Sequence, residues 1–166
     1  MKRDGKSDVS AFDISKDAVR EVAKKNPRIS LAVAGSYHMP IADGSFDTVV
    51  NTFSPLALSE THRVLKEGGH FVMAIPDEMH LYDLKAAIYD TPYKNVVSDT
   101  SLDGFELISD NPLHYEIYLS DPDVIRNLFM MTPYAYRTKP ADRERIFALK
   151  RLTCRVHFRV FVYKKL

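Results

Sequence analysis

The sequence predicts an α/β domain in three layers, with helices on both faces of a mostly parallel sheet. Two observations carry that prediction. Apolar runs alternate with helical stretches from Val9 to Pro76, and each helical stretch has its own start or stop signal. Two of the runs, Ile29 to Ala34 and Phe71 to Ile75, are near-continuously apolar, as strands covered on both faces are. At 166 residues, 45% apolar and 27% charged, the chain is long enough to bury one core. It divides into a short polar segment over residues 1–8 and one domain over residues 9–166.

The first run, Val9 to Phe12, ends in Asp13. Ser15 caps a helix from Lys16 to Lys25 whose Ala18, Val19, Val22 and Ala23 share a face, and Asn26-Pro27 stops it. Ile29 to Ala34 completes a βαβ unit, and Gly35-Ser36 breaks the run. Asp43-Gly44 turns the chain into a strand over Phe46 to Asn51, which Ser54-Pro55 ends. A helix from Leu56 to Leu65 is terminated by Gly68-Gly69, before a strand over His70 to Ile75. Beyond Pro76 the pattern predicts a helix over His80 to Tyr89, a loop over Thr91 to Thr100 and a strand over Gly104 to Ile108. A turn at Asp110-Asn111-Pro112 then leads into a partner strand over His114 to Leu119. Ser120 caps a helix that reaches Pro133. The final strand is Thr153 to Tyr163, where Cys154, Val156, Phe158, Val160 and Val162 alternate with Arg155, His157, Arg159 and Phe161.

The single cysteine, Cys154, excludes an internal disulfide and a cysteine zinc cluster, and its place in the alternation reads as a buried small side chain. The six histidines lack zinc-ligand spacing and no serine sits in a nucleophile elbow, so neither a metal site nor hydrolase chemistry is expected. No apolar run follows the charged residues at the start, which predicts no signal peptide, no membrane span and a cytoplasmic location. Residues 137–166 hold ten Lys/Arg against two acids, suiting either an RNA backbone or a solvated face. Between Asp77 and Asp123 the balance reverses, with eleven acids and two lysines.

An acid closing a second strand is a common grip on a nucleotide ribose, and the turn after a first strand grips the rest of the cofactor. Asp13 occupies the first of these places, and no glycine-rich turn precedes it. The sequence therefore reads as the part of a cofactor-binding domain that follows the first strand.

The segments Phe12-Asp13-Ile14-Ser15, Gly35-Ser36-Tyr37-His38-Met39-Pro40, Phe46 to Val50 and Glu60 to Gly69 resemble the middle and rear of a class I S-adenosylmethionine-dependent methyltransferase. Phe53-Ser54-Pro55, His80 to Lys85 and Leu128 to Pro140 more closely resemble the RlmA-type 23S ribosomal RNA guanine-N1 methyltransferases, and the resemblance covers nearly the whole chain from Ser10. It implies a Rossmann-like three-layer sandwich with an antiparallel C-terminal hairpin, S-adenosyl-L-methionine as cofactor and ribosomal RNA as partner. In that family a four-cysteine zinc module, helices and the glycine-rich first motif precede the segments matched here. A sheet lacking its first strand is expected either to keep a gap with unpaired edges or to pair its second and fourth strands directly. Weak or absent cofactor binding and edge-strand self-association would follow.

By the same resemblance Asp13 and Ile14 meet the cofactor ribose, Asp13 as an acceptor-only carboxylate, with a surface acid capping the helix as the lesser alternative. Gly35, Ser36 and Tyr37 stand where the adenine is held, and Asn51 ends the strand that faces methyl donor and acceptor. Phe53, Ser54 and Pro55 would bound the guanine pocket, with Phe53 either stacking on the base or belonging to the core. His80 would position or deprotonate the base, or merely cap a helix. Met130 to Tyr134 forms either the pocket rim or core. The function implied is methyl transfer to N1 of a guanine in 23S ribosomal RNA. A small-molecule methyltransferase and a non-catalytic interaction module are the alternatives.

Overall fold

A computed structural model describes residues 8–97 and 99–166, so the polar segment expected at the start lies outside the described residues except for Asp8. The chain runs β1 (Ser10–Asp13), α1 (Lys16–Lys25), β2 (Ser30–Val33), β3 (Phe46–Thr52), α2 (Leu58–Val64), β4 (Leu65–Pro76), α3 (Tyr82–Ile88), β5 (Phe105–Leu119), α4 (Pro122–Met130), α5 (Pro140–Phe147) and β6 (Leu152–Lys165). β1 and β2 pair in parallel as one sheet, and β3-β4-β6-β5 form a second. In the second sheet β3 and β4 are parallel, and β6 runs antiparallel to both β4 and β5. The α/β class holds, with two parallel and two antiparallel pairings among the described strands. Of the two arrangements expected around a first strand, the gap is the one observed: β1 and β3 share no ladder.

Side-chain alternation along β6 places two cores on opposite faces of the larger sheet. Cys154 and Val156 point toward α3, α4 and α5, where they join Leu84, Ile88, Ile125, Phe129 and Ile146. Phe161 and Tyr163 point the other way, onto Phe71, Met73 and Phe105, with Leu56 and Leu58 at the start of α2. Burial pushes the Cys154 thiol up to about 11, so it stays protonated and unreactive at neutral pH.

The β1-α1-β2 unit is packed differently. The Ser15 hydroxyl caps α1 by accepting from the Ala18 amide at 3.2 Å, as its sequence predicts, yet no α1 residue is buried. Val33 is exposed, and Leu31 and Ala32 are only half-buried, so the expectation of a strand covered on both faces fails for β2. The same face of the larger sheet that carries Val156 also leaves Val50 (65%) and Leu113 (51%) exposed, beside half-buried Val72, Val160 and Val162.

Three further expectations are corrected. No turn forms at Asp110-Asn111-Pro112: β5 is one strand of 15 residues that pairs with β6 from Phe105 to Leu119, with a bulge between Leu107 and Ser109. β5 is an edge strand, where a proline lacking its N–H costs no ladder bond on the open side. The cap of α4 is Asp121, accepting from the Asp123 amide, rather than Ser120. A helix over Pro140–Phe147 also forms in a stretch whose weak periodicity gave no signal.

The β2-β3 connection is latched to α2. Arg63 donates to Glu60 at 2.7 and 2.9 Å, to Asp43 at 2.6 Å and to the Ile41 carbonyl at 2.7 Å, and the Met39 amide donates to Glu60 at 2.7 Å. The Arg63 guanidinium holds the Glu60 carboxyl down at about 2. A carboxyl depressed in the fold contributes stability above its unfolded value, near 4.5, and loses it as pH falls through about 2. Acid titration of Arg63→Ala should therefore show a lower thermal midpoint at neutral pH, with the gap to the wild type narrowing as pH falls from about 4.5 toward about 2.

Candidate active site

The candidate cofactor and base residues lie at or just beyond the C-terminal ends of parallel strands, the edge at which open α/β sheets bind ligands. Asp13 ends β1 and Ile14 follows it, Gly35 to Tyr37 follow β2, Asn51 lies near the end of the β3 ladder with Phe53 to Pro55 just beyond that strand, and His80 follows β4. The two sheets divide them into two groups, and among the described residues no hydrogen bond joins one group to the other.

In the first group the Asp13 carboxylate accepts from the Ser15 amide through Oδ1 at 2.7 Å and so supports the helix start, while Oδ2 makes no side-chain hydrogen bond among the described residues. Ile14 and Tyr37 are exposed at 83% and 61%, and Ser36 is half-buried. At Gly35 an added Cβ would meet nothing within 4 Å, which leaves the backbone open to close approach. This donor and acceptor set fits the nucleoside half of a cofactor. The described residues place no counterpart for an amino-acid half.

In the second group Asn51 shapes the loop. Its Oδ1 accepts from the Ser54 amide at 3.2 Å and its Nδ2 donates to the Pro55 carbonyl at 3.3 Å. That closure holds Phe53 at φ 53°, a left-handed conformation uncommon for a bulky residue and a recurrent mark of functional loops. The Phe53 amide donates to the Ala74 carbonyl at 3.1 Å, and the residue stays 50% exposed. The ring stacks on His80 at 6.0 Å with an interplanar angle of 16°, and lies 5.0 Å from Phe158. Phe53 is thus neither core nor isolated: one face rests on a wall and the remainder meets solvent. Ser54 and Pro55 are exposed beside it.

His80 is buried enough that its ring is held down at about 4, desolvation being the main cause, with His157 and Lys85 adding to it. It is neutral at pH 7. Its Nδ1 is buried without a hydrogen-bond partner, so that nitrogen is not presented to a base docked on Phe53. Next to it the His114 ring stacks on His157 at 4.1 Å and meets the Asp77 carboxylate at 3.0 Å. Sequence reasoning missed this pair because cross-strand neighbours 43 positions apart become visible only once the β5-β6 register is known. The Met130 to Tyr134 segment divides between the two readings, since Met131 is 83% exposed while Thr132 is buried. Among the described residues no cluster could hold a metal. Cavities of about 250 Å³, lined by Thr100, Phe105 and Tyr163, and about 520 Å³, lined by Asp43, Arg63 and Lys165, lie away from Phe53. No helix is long and apolar enough to cross a membrane among the described residues.

A family model described as a methyltransferase domain matches residues 1–73. YxjB of Bacillus subtilis (strain 168), provisionally named a 23S rRNA (guanine-N(1)-)-methyltransferase, is 28% identical over 149 residues, which is 86% of this chain and 51% of that protein. The 23S rRNA (guanine(748)-N(1))-methyltransferase of Streptomyces fradiae is 28% identical over 142 residues, 82% of this chain and 50% of the relative. The chain therefore spans about half the length of these curated relatives. A crystal structure from Bacillus halodurans C-125, provisionally named a methyltransferase, superposes with a TM-score of 0.58 at 15% identity, covering 96% of this chain and 83% of that one. At that identity the likeness shows the fold alone.

Proposed function

We propose that the chain is part of a class I S-adenosylmethionine-dependent methyltransferase of the RlmA type, a reading that the methyltransferase-domain match and the curated relatives support, and that its Phe53 loop receives a guanine of 23S ribosomal RNA for methylation at N1. The observation that carries this reading is the half-exposed Phe53 ring, held in a left-handed conformation at the C-terminal edge of the sheet and backed by His80. A base extruded from an RNA loop needs a flat apolar face to replace its lost stacking. The surface around Phe53 is open rather than enclosed, which suits one nucleotide of a large substrate better than a free small molecule.

S-adenosylmethionine would supply a methyl group already activated on a sulfonium, so the protein's work is alignment and handling of the N1 proton. Asp13 would accept from the ribose hydroxyls, with Ile14 beside it, and Gly35, Ser36 and Tyr37 would border the adenine. Asn51 would hold the loop, and Phe53, Ser54 and Pro55 would line the base. His80 serves as the wall behind Phe53. A ring that takes up a proton only near pH 4 is a weak base, and its Nδ1 is buried from solvent.

Replacing Phe53 tests the reading. Base stacking on an aromatic ring is worth about 1–3 kcal/mol, so Phe53→Gly should weaken binding of a 23S hairpin transcript roughly 5- to 150-fold in a fluorescence titration. Stability should change by less than about 1 kcal/mol, because relief of the positive φ offsets the lost ring contacts. RNA affinity that is unchanged in the variant would exclude the Phe53 loop as the acceptor site.

A further inference from the structure

The loop after α3 carries no regular structure, yet its Asn95 lies at the meeting point of four hydrogen bonds. Its amide donates to the Glu78 carbonyl at 2.9 Å, and its side-chain Nδ2 donates to the carbonyls of Asp77 at 2.9 Å and His80 at 3.0 Å. Its Oδ1 accepts from the Lys85 ammonium at 2.6 Å. Lys85 is 1% exposed, has no carboxylate partner among the described residues, donates also to the Tyr93 carbonyl at 3.2 Å and stands 4.2 Å over the Tyr93 ring. Burial pushes its pKa below the ordinary lysine value.

We propose that Asn95, oriented by the buried Lys85 side chain, is a positioning residue for the His80–Phe53 wall. An ammonium group only donates, so it obliges the Asn95 amide to turn its oxygen toward Lys85 and its nitrogen toward the two carbonyls. Those carbonyls belong to the turn between β4 and α3, which ends in Leu81 at φ 53°, a conformation an unsupported leucine rarely holds. The turn carries the His80 ring, which packs 4.7 Å from Phe158 and stacks on Phe53. Neither Lys85 nor Asn95 hydrogen-bonds to Phe53 or to Asp13, Gly35, Ser36 and Tyr37, so beyond the charge that Lys85 places near His80 their effect on the site passes through the turn. This inference rests on the reading of Phe53 as the base-docking residue for its functional meaning, but its geometry is independent of it.

Asn95→Asp separates positioning from simple loop anchoring. The aspartate keeps an oxygen for Lys85 and so keeps the loop pinned, but it has no donor for the Asp77 and His80 carbonyls. The readout is the NMR position of the His80 ring protons, which the Phe53 and Phe158 rings displace upfield in the wild type. The expected result is loss of that displacement in Asn95→Asp with the thermal midpoint nearly kept. An unchanged His80 signal in the folded variant overturns the proposal. Lys85→Met, which frees the amide to rotate, is read by the same signal and decides the matter if Asn95→Asp does not fold. The measurement needs neither cofactor nor RNA, so a failure to methylate RNA would count against the proposed function and leave this inference standing.

Discussion

Fused ahead of Asp8 to the strand, glycine turn and helix of a class I methyltransferase, the chain is expected to bind S-adenosylhomocysteine with a Kd of about 10 μM, whereas the 166-residue chain shows no saturation below about 1 mM. The described residues offer Asp13 and the 35–37 loop to a nucleoside and nothing to an amino-acid group. A glycine turn entering a helix would add several backbone donors aimed at a carboxylate, with the helix dipole behind them. About 100-fold in affinity corresponds to about 2.7 kcal/mol, the worth of one or two hydrogen bonds to a charged group. The added elements would also meet unpaired partners: β1 and β3 belong to separate sheets, and the face bearing Val50, Val72, Val160 and Val162 is incompletely covered. Calorimetric titration of both proteins, after each is shown to be folded and monodisperse, is the check. Saturable micromolar binding by the 166-residue chain would overturn the argument that such a strand is needed.

The order of strands and helices to Pro76 was legible because each element carries its own signal: Ser15 before α1, Asn26-Pro27 after it, and the apolar run of β4. What the sequence misjudged lies where a local signal competes with pairing. Asp110-Asn111-Pro112 reads as a turn on residue preferences alone, but a ladder with β6 that runs from Phe105 to Leu119, broken only by the bulge between Leu107 and Ser109, outweighs that preference at an open edge. For the candidate site, chain position put Phe53 after β3 and His80 after β4, and the contact between them emerged from the fold. Their supports were not legible. Asn95 sits in a stretch with no periodicity, and its role depends on a lysine ten positions earlier being buried, which composition gives no reason to expect.

Phe129→Ala is expected to cost about 3–5 kcal/mol, because the ring is fully buried and truncating a buried phenylalanine leaves a cavity its neighbours cannot close. Phe129 lies 6.2 Å from the Phe147 ring and 6.4 Å from that of Tyr134, so it joins α4 to α5 and to the segment between them. Against a total stability of about 5–15 kcal/mol for a domain, the loss is severe, and in a chain of this size it lowers the thermal midpoint by roughly 6–20 °C. Val50→Ala makes the contrast, since a side chain 65% exposed on the uncovered face should cost less than about 0.5 kcal/mol. Thermal melts of both variants give the comparison, and similar losses would mean that the helical layer over Cys154 and Val156 is no better packed than the open face. The effect also reaches the site. Phe158 packs on the same cluster as Phe129 and holds its ring 5.0 Å from Phe53, so a loosened core there removes the support on which the Phe53 ring rests.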